Sequence, residues 1–227
     1  MWVVLWGVEH PGNLGAIARL CANFEVEGLV LVEPKCSPGD GDAKNRAKHA
    51  QQVLAGARVL APEELRDEFD LVVGTTAQVG TDFNVPRSPL TPEQFAKKAR
   101  VKGQVALVFG SEGTGLTNEQ LDACDFVVSI PAGSQYPTLN LSHAVAIMLY
   151  ELFAHKGVPR HELVLRAELE KMYEFLDRII DSLDFTTEVK RETQRVVWRK
   201  VLAKALLTRR EANAMLGLLR KLIEYNE

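Results

Sequence analysis

The chain reads as an α/β protein: a parallel sheet with helices on both faces, followed by a small helical extension. Three observations predict this. Strand-length apolar runs with few polar residues alternate with helix-length segments, the pattern of strands buried on both faces. Several of those runs open into loops of glycine and small polar residues. After Tyr150 the alternation stops, and everything beyond is helical in pattern.

The elements follow in order. Met1 to Gly7 is a strand, EHPGN a loop, and a helix runs from about Leu14 to Phe24. Gly28 to Val32 is a second strand, followed by a Pro, Gly and Asp-rich loop from Pro34 to Asp42. AKNRAKHAQQVLAG reads as one helix and ARVL as a short strand. The apolar run DLVVG, Asp70 to Gly74, is a strand that ends in the polar loop TTAQVGTDFNVPRSP. Thr91 before Pro92, Glu93 and Gln94 has the form of a helix cap, and that helix is expected to end near Lys102 and Gly103. VALVFG and FVVSIP complete a sheet of about six strands. Beyond the linker HKGVPR, helices are expected at about Arg160 to Asp181, Thr186 to Leu207 and Arg209 to Tyr225, with Thr208 as a cap. The division is 1–155 for the sheet domain and 156–227 for the extension.

Composition excludes several classes. With 227 residues, 46% hydrophobic and 25% charged, the chain has ordinary globular usage. Its longest apolar stretches are strand-length, so no membrane span is expected. The first residues lack a basic region and a long apolar core, so no signal peptide is expected and a cytoplasmic location is. Cys21, Cys36 and Cys124 lack paired spacing and have no paired histidines nearby, so neither a zinc site nor a disulfide framework is expected; they read as reduced, mostly buried thiols.

The stretch from Val105 to Leu152 is the most informative. Strand ends that open into Gly-rich loops, and a loop that starts a helix, are where open α/β sheets place ligands. Gly110, Gly113 and Gly115 clear side chains where a backbone approaches a flat molecule. Loops at Gly74–Gln78, Gly110–Leu116 and Ile130–Leu139 are expected to converge on one pocket, with Arg19 reaching in from a neighbouring helix. No GxGxxG with a following acid is present, so a dinucleotide site is not expected.

These residues carry a resemblance. HPGNLGAIAR, ALVFGSEGTGL and IPAGSQYPTLNLSHAVAIMLYEL resemble the three motifs of the SPOUT superfamily of RNA methyltransferases, and within it the TrmJ-type tRNA ribose 2′-O-methyltransferases. The likeness covers about residues 1 to 155, and the tail resembles the C-terminal extension of TrmJ-like members. It implies a C-terminal trefoil knot, a rarity that periodicity cannot reveal. It also implies a homodimer with the active site near the subunit interface, and S-adenosylmethionine as cofactor with no metal. Carried over by position, cofactor contacts fall to Thr75, Thr76, Ala77, Gly110, Ile130, Pro137, Thr138 and Leu139. The catalytic group is Arg19, Thr138, Asn140 and Asn13.

The resemblance assigns Arg19 as base or activator of the ribose hydroxyl. A guanidinium stays protonated up to about pH 12, so stabilising a developing alkoxide and gripping the adjacent phosphate is the more coherent role. Two departures from the family pattern appear. Thr138 stands where serine is common, and Gln78 where arginine is common. Glu112 either faces the ligand or is a solvated loop carboxylate, and His143 is either a satisfied helix histidine or an interface group.

The substrate implied is tRNA, at nucleotide 32 of the anticodon loop, with the choice between cytidine and uridine left open. Ribosomal RNA, or a non-catalytic RNA-binding protein of the same fold, is the alternative. From Thr186 to Lys221, ten basic residues face three acids. Arg191, Arg195 and Arg199 recur every four residues on one face, either as a solvated helix face or as a stripe that contacts RNA phosphates.

Overall fold

A computed structural model describes residues 1–77, 89–99, 101–155, 157 and 161–226. The strands are β1 (Trp2–Trp6), β2 (Gly28–Val32), β3 (Arg58–Leu60), β4 (Leu71–Thr75), β5 (Val101–Lys102), β6 (Val105–Phe109), β7 (Phe126–Val128) and β8 (His161–Glu162). The α-helices of the first part are α1 (Pro11–Asn23), α2 (Gly41–Ala47), α3 (Gln51–Ala55), α4 (Leu65–Glu68), α5 (Pro92–Lys98), α6 (Asn118–Asp122) and α7 (Leu141–Ala154). Those of the extension are α8 (Arg166–Ser182), α9 (Glu188–Ala205) and α10 (Arg209–Asn226).

Six strands form one sheet in the order β3-β2-β1-β6-β4-β7, every pairing parallel. Alternate side chains supply its two faces. Val3, Leu5, Leu29, Leu31, Val73 and Leu107 face one core, which α1, α5 and α7 cover. Val4, Trp6, Val30, Val72, Ala106 and Val108 face the other, packed against Leu65, Phe69, Leu121 and Cys124. All five residues of β6 are buried, as its central place requires. Leu163, Ala203 and Leu206 of the extension join the first core, while Met172, Leu202, Ala212 and Leu216 build a third one among α8, α9 and α10. Arg166 grips the buried Asp125 with two 2.7 Å hydrogen bonds, docking α8 beside β7. Losing one partner of such a buried pair costs about 3–5 kcal/mol, because the other charge is stranded.

Four elements differ from expectation. Helix α1 starts at Pro11, not Leu14, since a proline fits the first turn where no N–H is required. The helix expected over 43–56 breaks into α2, a 3₁₀ turn and α3, with Lys48 at φ +52°. Helix α5 stops at Lys98, because Val101–Lys102 pairs in parallel with His161–Glu162 instead. That same pairing delays the first helix of the extension to Arg166. The caps at Thr91 and Thr208 form as the sequence suggests: Thr91 accepts from the Gln94 amide at 3.2 Å and Thr208 from the Glu211 amide at 3.1 Å. Most of the loop 75–89, with Gln78, and most of the linker HKGVPR lie outside the described residues.

Gly15 sets how closely α1 approaches α2, since a Cβ there would stand 2.1 Å from the Ala43 carbonyl oxygen. Gly15→Ala is expected to force the two helices apart and cost about 1–3 kcal/mol, the range for overpacking. Urea denaturation measures this, and an unchanged midpoint would mean that α2 moves aside freely.

Candidate active site

The parallel order puts the carboxyl ends of β6, β4 and β7 side by side at one edge. Their loops enclose a cavity of about 660 Å³. Thr75, Thr76 and Ala77 come from the β4 end, Gly110 to Asn118 from the loop after β6, and Ile130, Pro137, Thr138 and Leu139 from the segment after β7. Leu141 and Ala144 at the start of α7 close it. All eight positions expected to touch a cofactor therefore line one cavity.

Local chemistry explains the shape. The loop after β6 folds back on itself: the Gly115 amide donates to the Ser111 carbonyl at 2.9 Å, and Ser111 and Thr114 share a 3.0 Å hydroxyl contact. Gly115 has φ +67°, a conformation that favours glycine. A Cβ on Gly110 would stand 2.0 Å from the Gly115 carbonyl carbon, so no larger residue fits there. The Thr75 hydroxyl donates to the Val108 carbonyl at 3.0 Å, and the Thr76 amide to the Val128 carbonyl at 3.0 Å. The β4 end is thereby pinned to both neighbouring strands. Among the described lining residues the wall is small side chains, backbone and a few apolar groups, with Glu112 as the one ionisable side chain.

Glu112 resolves into neither of its expected readings alone. Its carboxylate accepts from the Glu9 amide at 2.9 Å, the His10 amide at 3.1 Å and the Asn13 side-chain amide at 2.9 Å. It ties the β6 loop to the turn that starts α1. Burial alone would raise the pKa of this carboxyl. The hydrogen bonds from Asn13 and from the Glu9 and His10 amides outweigh that and hold it below its ordinary value.

The network continues. Asn140 donates from its amide nitrogen to Asn13 Oδ1 at 3.3 Å. Asn140 Oδ1 caps α7, accepting from the Ser142 amide at 2.9 Å and the Ser142 hydroxyl at 2.7 Å. Asn13 and Asn140 are thus brought together beside the cavity without lining it, while Thr138 lines it. Arg19 stands exposed on α1, outside the cavity lining, and no hydrogen bond or ion pair reaches its guanidinium among the described residues. His143 is exposed on α7, together with Ile147 and Tyr150 on the same face.

The arginine stripe lies elsewhere and is engaged. Arg191 pairs with Glu188 at 2.5 Å. Arg195 pairs with Asp181, and with Glu192 at 2.9 Å. Arg199 pairs with Asp177 at 2.6 Å and lies 5.0 Å from the Tyr173 ring centroid. The solvated face expected as one alternative is corrected for Arg195 and Arg199, which Asp177 and Asp181 on α8 meet, joining α8 to α9, while Arg191 pairs within α9. Asp177 and Asp181 are four residues apart, a spacing visible in the sequence once the two helices are known to be neighbours.

No group of His, Cys, Asp or Glu among the described residues is arranged to hold a metal ion. Cys21 and Cys124 are buried, and burial pushes both thiols up to about 12, the inert state of core cysteines.

Fold and cavity define an α/β protein with a cavity of small-ligand size at the carboxyl ends of its parallel strands. The particular family follows from comparison: residues 1–150 match the SpoU rRNA methylase family, and the chain belongs to it. It is 36% identical over 217 residues to the tRNA (cytidine-2′-O-)-methyltransferase TrmJ of Methanocaldococcus jannaschii, covering 92% of this chain and 94% of that one. The crystal structure of TrmJ from Z. mobilis ZM4 superposes with a TM-score of 0.69 at 27% identity, covering 97% of each chain. The SpoU methyltransferase AviRb from Streptomyces viridochromogenes, solved in complex with the cofactor AdoMet, shares the fold at 23% identity and a TM-score of 0.57, over 68% of this chain and 59% of that one.

The depressed Glu112 pKa carries a pH dependence. The stability it contributes is fully present above the unfolded value of about 4.3 and is lost as pH falls through the lower folded value. Glu112→Gln is therefore expected to be less stable than the native chain at neutral pH, with the gap narrowing towards about pH 3. Denaturant midpoints at both pH values measure it, and a constant gap would contradict the assignment.

Proposed function

We propose that this chain is an S-adenosylmethionine-dependent tRNA ribose 2′-O-methyltransferase, acting at nucleotide 32 of the anticodon loop. The observation that carries the reading is the convergence of three strand-end loops on one cavity beside the Glu112–Asn13–Asn140 network, in a chain of the SpoU methylase family. The TrmJ relatives support tRNA as substrate. The family's own description keeps ribosomal RNA as the second reading.

The cavity suits the cofactor. It is roomy, its wall is backbone and small residues, and Gly110 leaves a cradle that a Cβ would fill. Thr75, Thr76, Ala77, Gly110, Ile130, Pro137, Thr138 and Leu139 would hold S-adenosylmethionine, which supplies a methyl group on a sulfonium, a leaving group good enough to need no metal. A C-terminal trefoil knot, which the likeness to the superfamily implies, belongs to this reading.

The chain's residues then have three tasks. Thr138 and Asn140 orient the acceptor ribose, and Asn13 holds Asn140 in place. Arg19, permanently charged, steadies the oxygen as its proton leaves and grips the neighbouring phosphate. Its guanidinium, exposed and with no hydrogen bond or ion pair among the described residues, is free to do so. The chain acts as a homodimer with the site near the subunit contact, a reading supported by the exposed apolar positions Ile147 and Tyr150 on α7. Residues 1–155 form the methyltransferase domain and 156–227 an extension that contacts RNA through Arg191, Arg195 and Arg199, in exchange for their carboxylate partners. No helix among the described residues is long and apolar enough to cross a membrane, which accords with a cytoplasmic enzyme.

Nucleoside mass spectrometry of unmodified tRNA incubated with the protein and S-adenosylmethionine is the test. A 2′-O-methylated nucleotide 32 is expected; methylation of ribosomal RNA alone would favour the second reading, and RNA binding without transfer would leave a non-catalytic protein. Arg19→Ala is expected to lower kcat by about 10²–10³-fold, as loss of an oxyanion partner does, with cofactor affinity unchanged. Equal loss of both would refute its role. Converting Arg191, Arg195 and Arg199 to glutamine is expected to weaken tRNA binding and flatten its salt dependence. An unchanged salt slope would confine these arginines to joining α8 and α9.

A further inference from the structure

Lys200 is the one lysine buried among the described residues, at 8% exposure; no carboxylate there stands within ion-pair distance of its ammonium, and Asp122 and Asp125 act on it only at longer range. It donates instead to two backbone carbonyls, that of Cys124 at 2.8 Å and that of Leu121 at 3.4 Å. Burial holds its pKa below the ordinary lysine value. Burying a cation against neutral partners is costly, and an apolar side chain would pack a purely structural contact at less expense. What Lys200 holds is therefore informative.

The two carbonyls lie at the end of α6, the five-residue helix that leaves the cavity wall. Thr117 and Asn118 line the cavity, and Thr117 starts α6 through a reciprocal cap: it accepts from the Gln120 amide at 3.3 Å and its own amide donates to Gln120 Oε1 at 2.9 Å. Three cations converge on the other end of this short rod. Arg66 donates to the carbonyls of Ala123 at 3.2 Å and Asp122 at 3.4 Å, Arg166 grips Asp125, and Lys200 takes Leu121 and Cys124. Arg166 and Lys200 both belong to the helical extension. Asp125 in turn accepts from the Val72 amide at 2.7 Å, which fixes the segment to β4. Cys124 also presses on the end of β4: a Cβ on Gly74, the residue before Thr75, would stand 2.9 Å from its sulfur. A shift of the Cys124 carbonyl is thus passed to Thr117 and Asn118 along α6 and to Thr75 through Gly74.

We propose that Lys200 is a positioning residue for the cofactor cavity, holding α6 and the β4 end in the geometry that binds S-adenosylmethionine, so that the helical extension is a working part of the cofactor site. This rests on the reading that the cavity takes that cofactor. Thr117, Asn118 and Thr75 form the wall, and Lys200 acts on the ligand only through them.

Titration calorimetry with S-adenosylmethionine on the full chain tests it, with Lys200→Met (an uncharged side chain of similar length), Lys200→Arg and the native protein, alongside steady-state kinetics on tRNA. Lys200→Met is expected to raise the Kd and KM for S-adenosylmethionine by about tenfold or more, a size that small misplacements reach. At saturating cofactor its kcat and its tRNA KM stay near native, and Lys200→Arg restores most of the cofactor affinity. A folded Lys200→Met with native cofactor affinity overturns the proposal, as does a loss spread equally over cofactor, tRNA and kcat. Should Lys200→Met fail to fold, Lys200→Gln, which keeps an N–H donor, is read by the same criteria. If the native chain itself does not bind S-adenosylmethionine, the parent reading fails and this one with it; if only the variant's affinity is unaltered, the parent reading stands.

Discussion

The adjacency of β6, β4 and β7, all running the same way, is the constraint from which the site follows. Parallel neighbours deliver their carboxyl ends to one edge, so three loops far apart in the chain become three walls of one cavity. Each wall is then trimmed by backbone chemistry. Gly110 lets the loop after β6 fold against itself, and hydrogen bonds from Thr75 and Thr76 pin the β4 end to the strands on either side. The result is a surface of amides and small side chains, suited to a ligand recognised by shape and by hydrogen bonds rather than by charge.

Charge is used around this cavity for fastening. The Glu112 carboxylate gathers three N–H donors from the start of α1, and Asn13 passes the link on to Asn140, which caps α7. A single carboxylate thus sets the spacing among three elements that approach the cavity from different parts of the chain. On the opposite side, Asp125 and the carbonyls at the end of α6 perform the same service with Arg66, Arg166 and Lys200. The helical tail is joined to the sheet domain by buried polar contacts as well as by apolar packing through Leu163, Ala203 and Leu206.

Much of the sheet was legible in the sequence, because doubly covered strands must be apolar at every position and VALVF or LVLV has few other uses. The three loops were legible because turn residues punctuate them. Boundaries decided by tertiary pairing were not: Val101–Lys102 forms a strand only because His161–Glu162 lies beside it. Glu112 remained ambiguous because its partners are about a hundred residues away, at Glu9, His10 and Asn13. Arg195 and Arg199 of α9 looked like part of an open stripe because Asp181 and Asp177, which meet them, sit on a different helix. Lys200 carried no signal at all, since nothing in its neighbours foretells burial against the end of α6.

The strand order also bears on how the chain is made. Residues of β1 are made well before one of their two flanking strands, β6, which follows about a hundred positions later. At translation speeds of about 5–20 residues per second, that gap lasts roughly 5–20 seconds. Once made, β1 and then β4 each carry unpaired backbone N–H and C=O groups on the edge that β6 will fill. Until Phe109 emerges, the central place between β1 and β4 stays unfilled, so the sheet closes only late in synthesis.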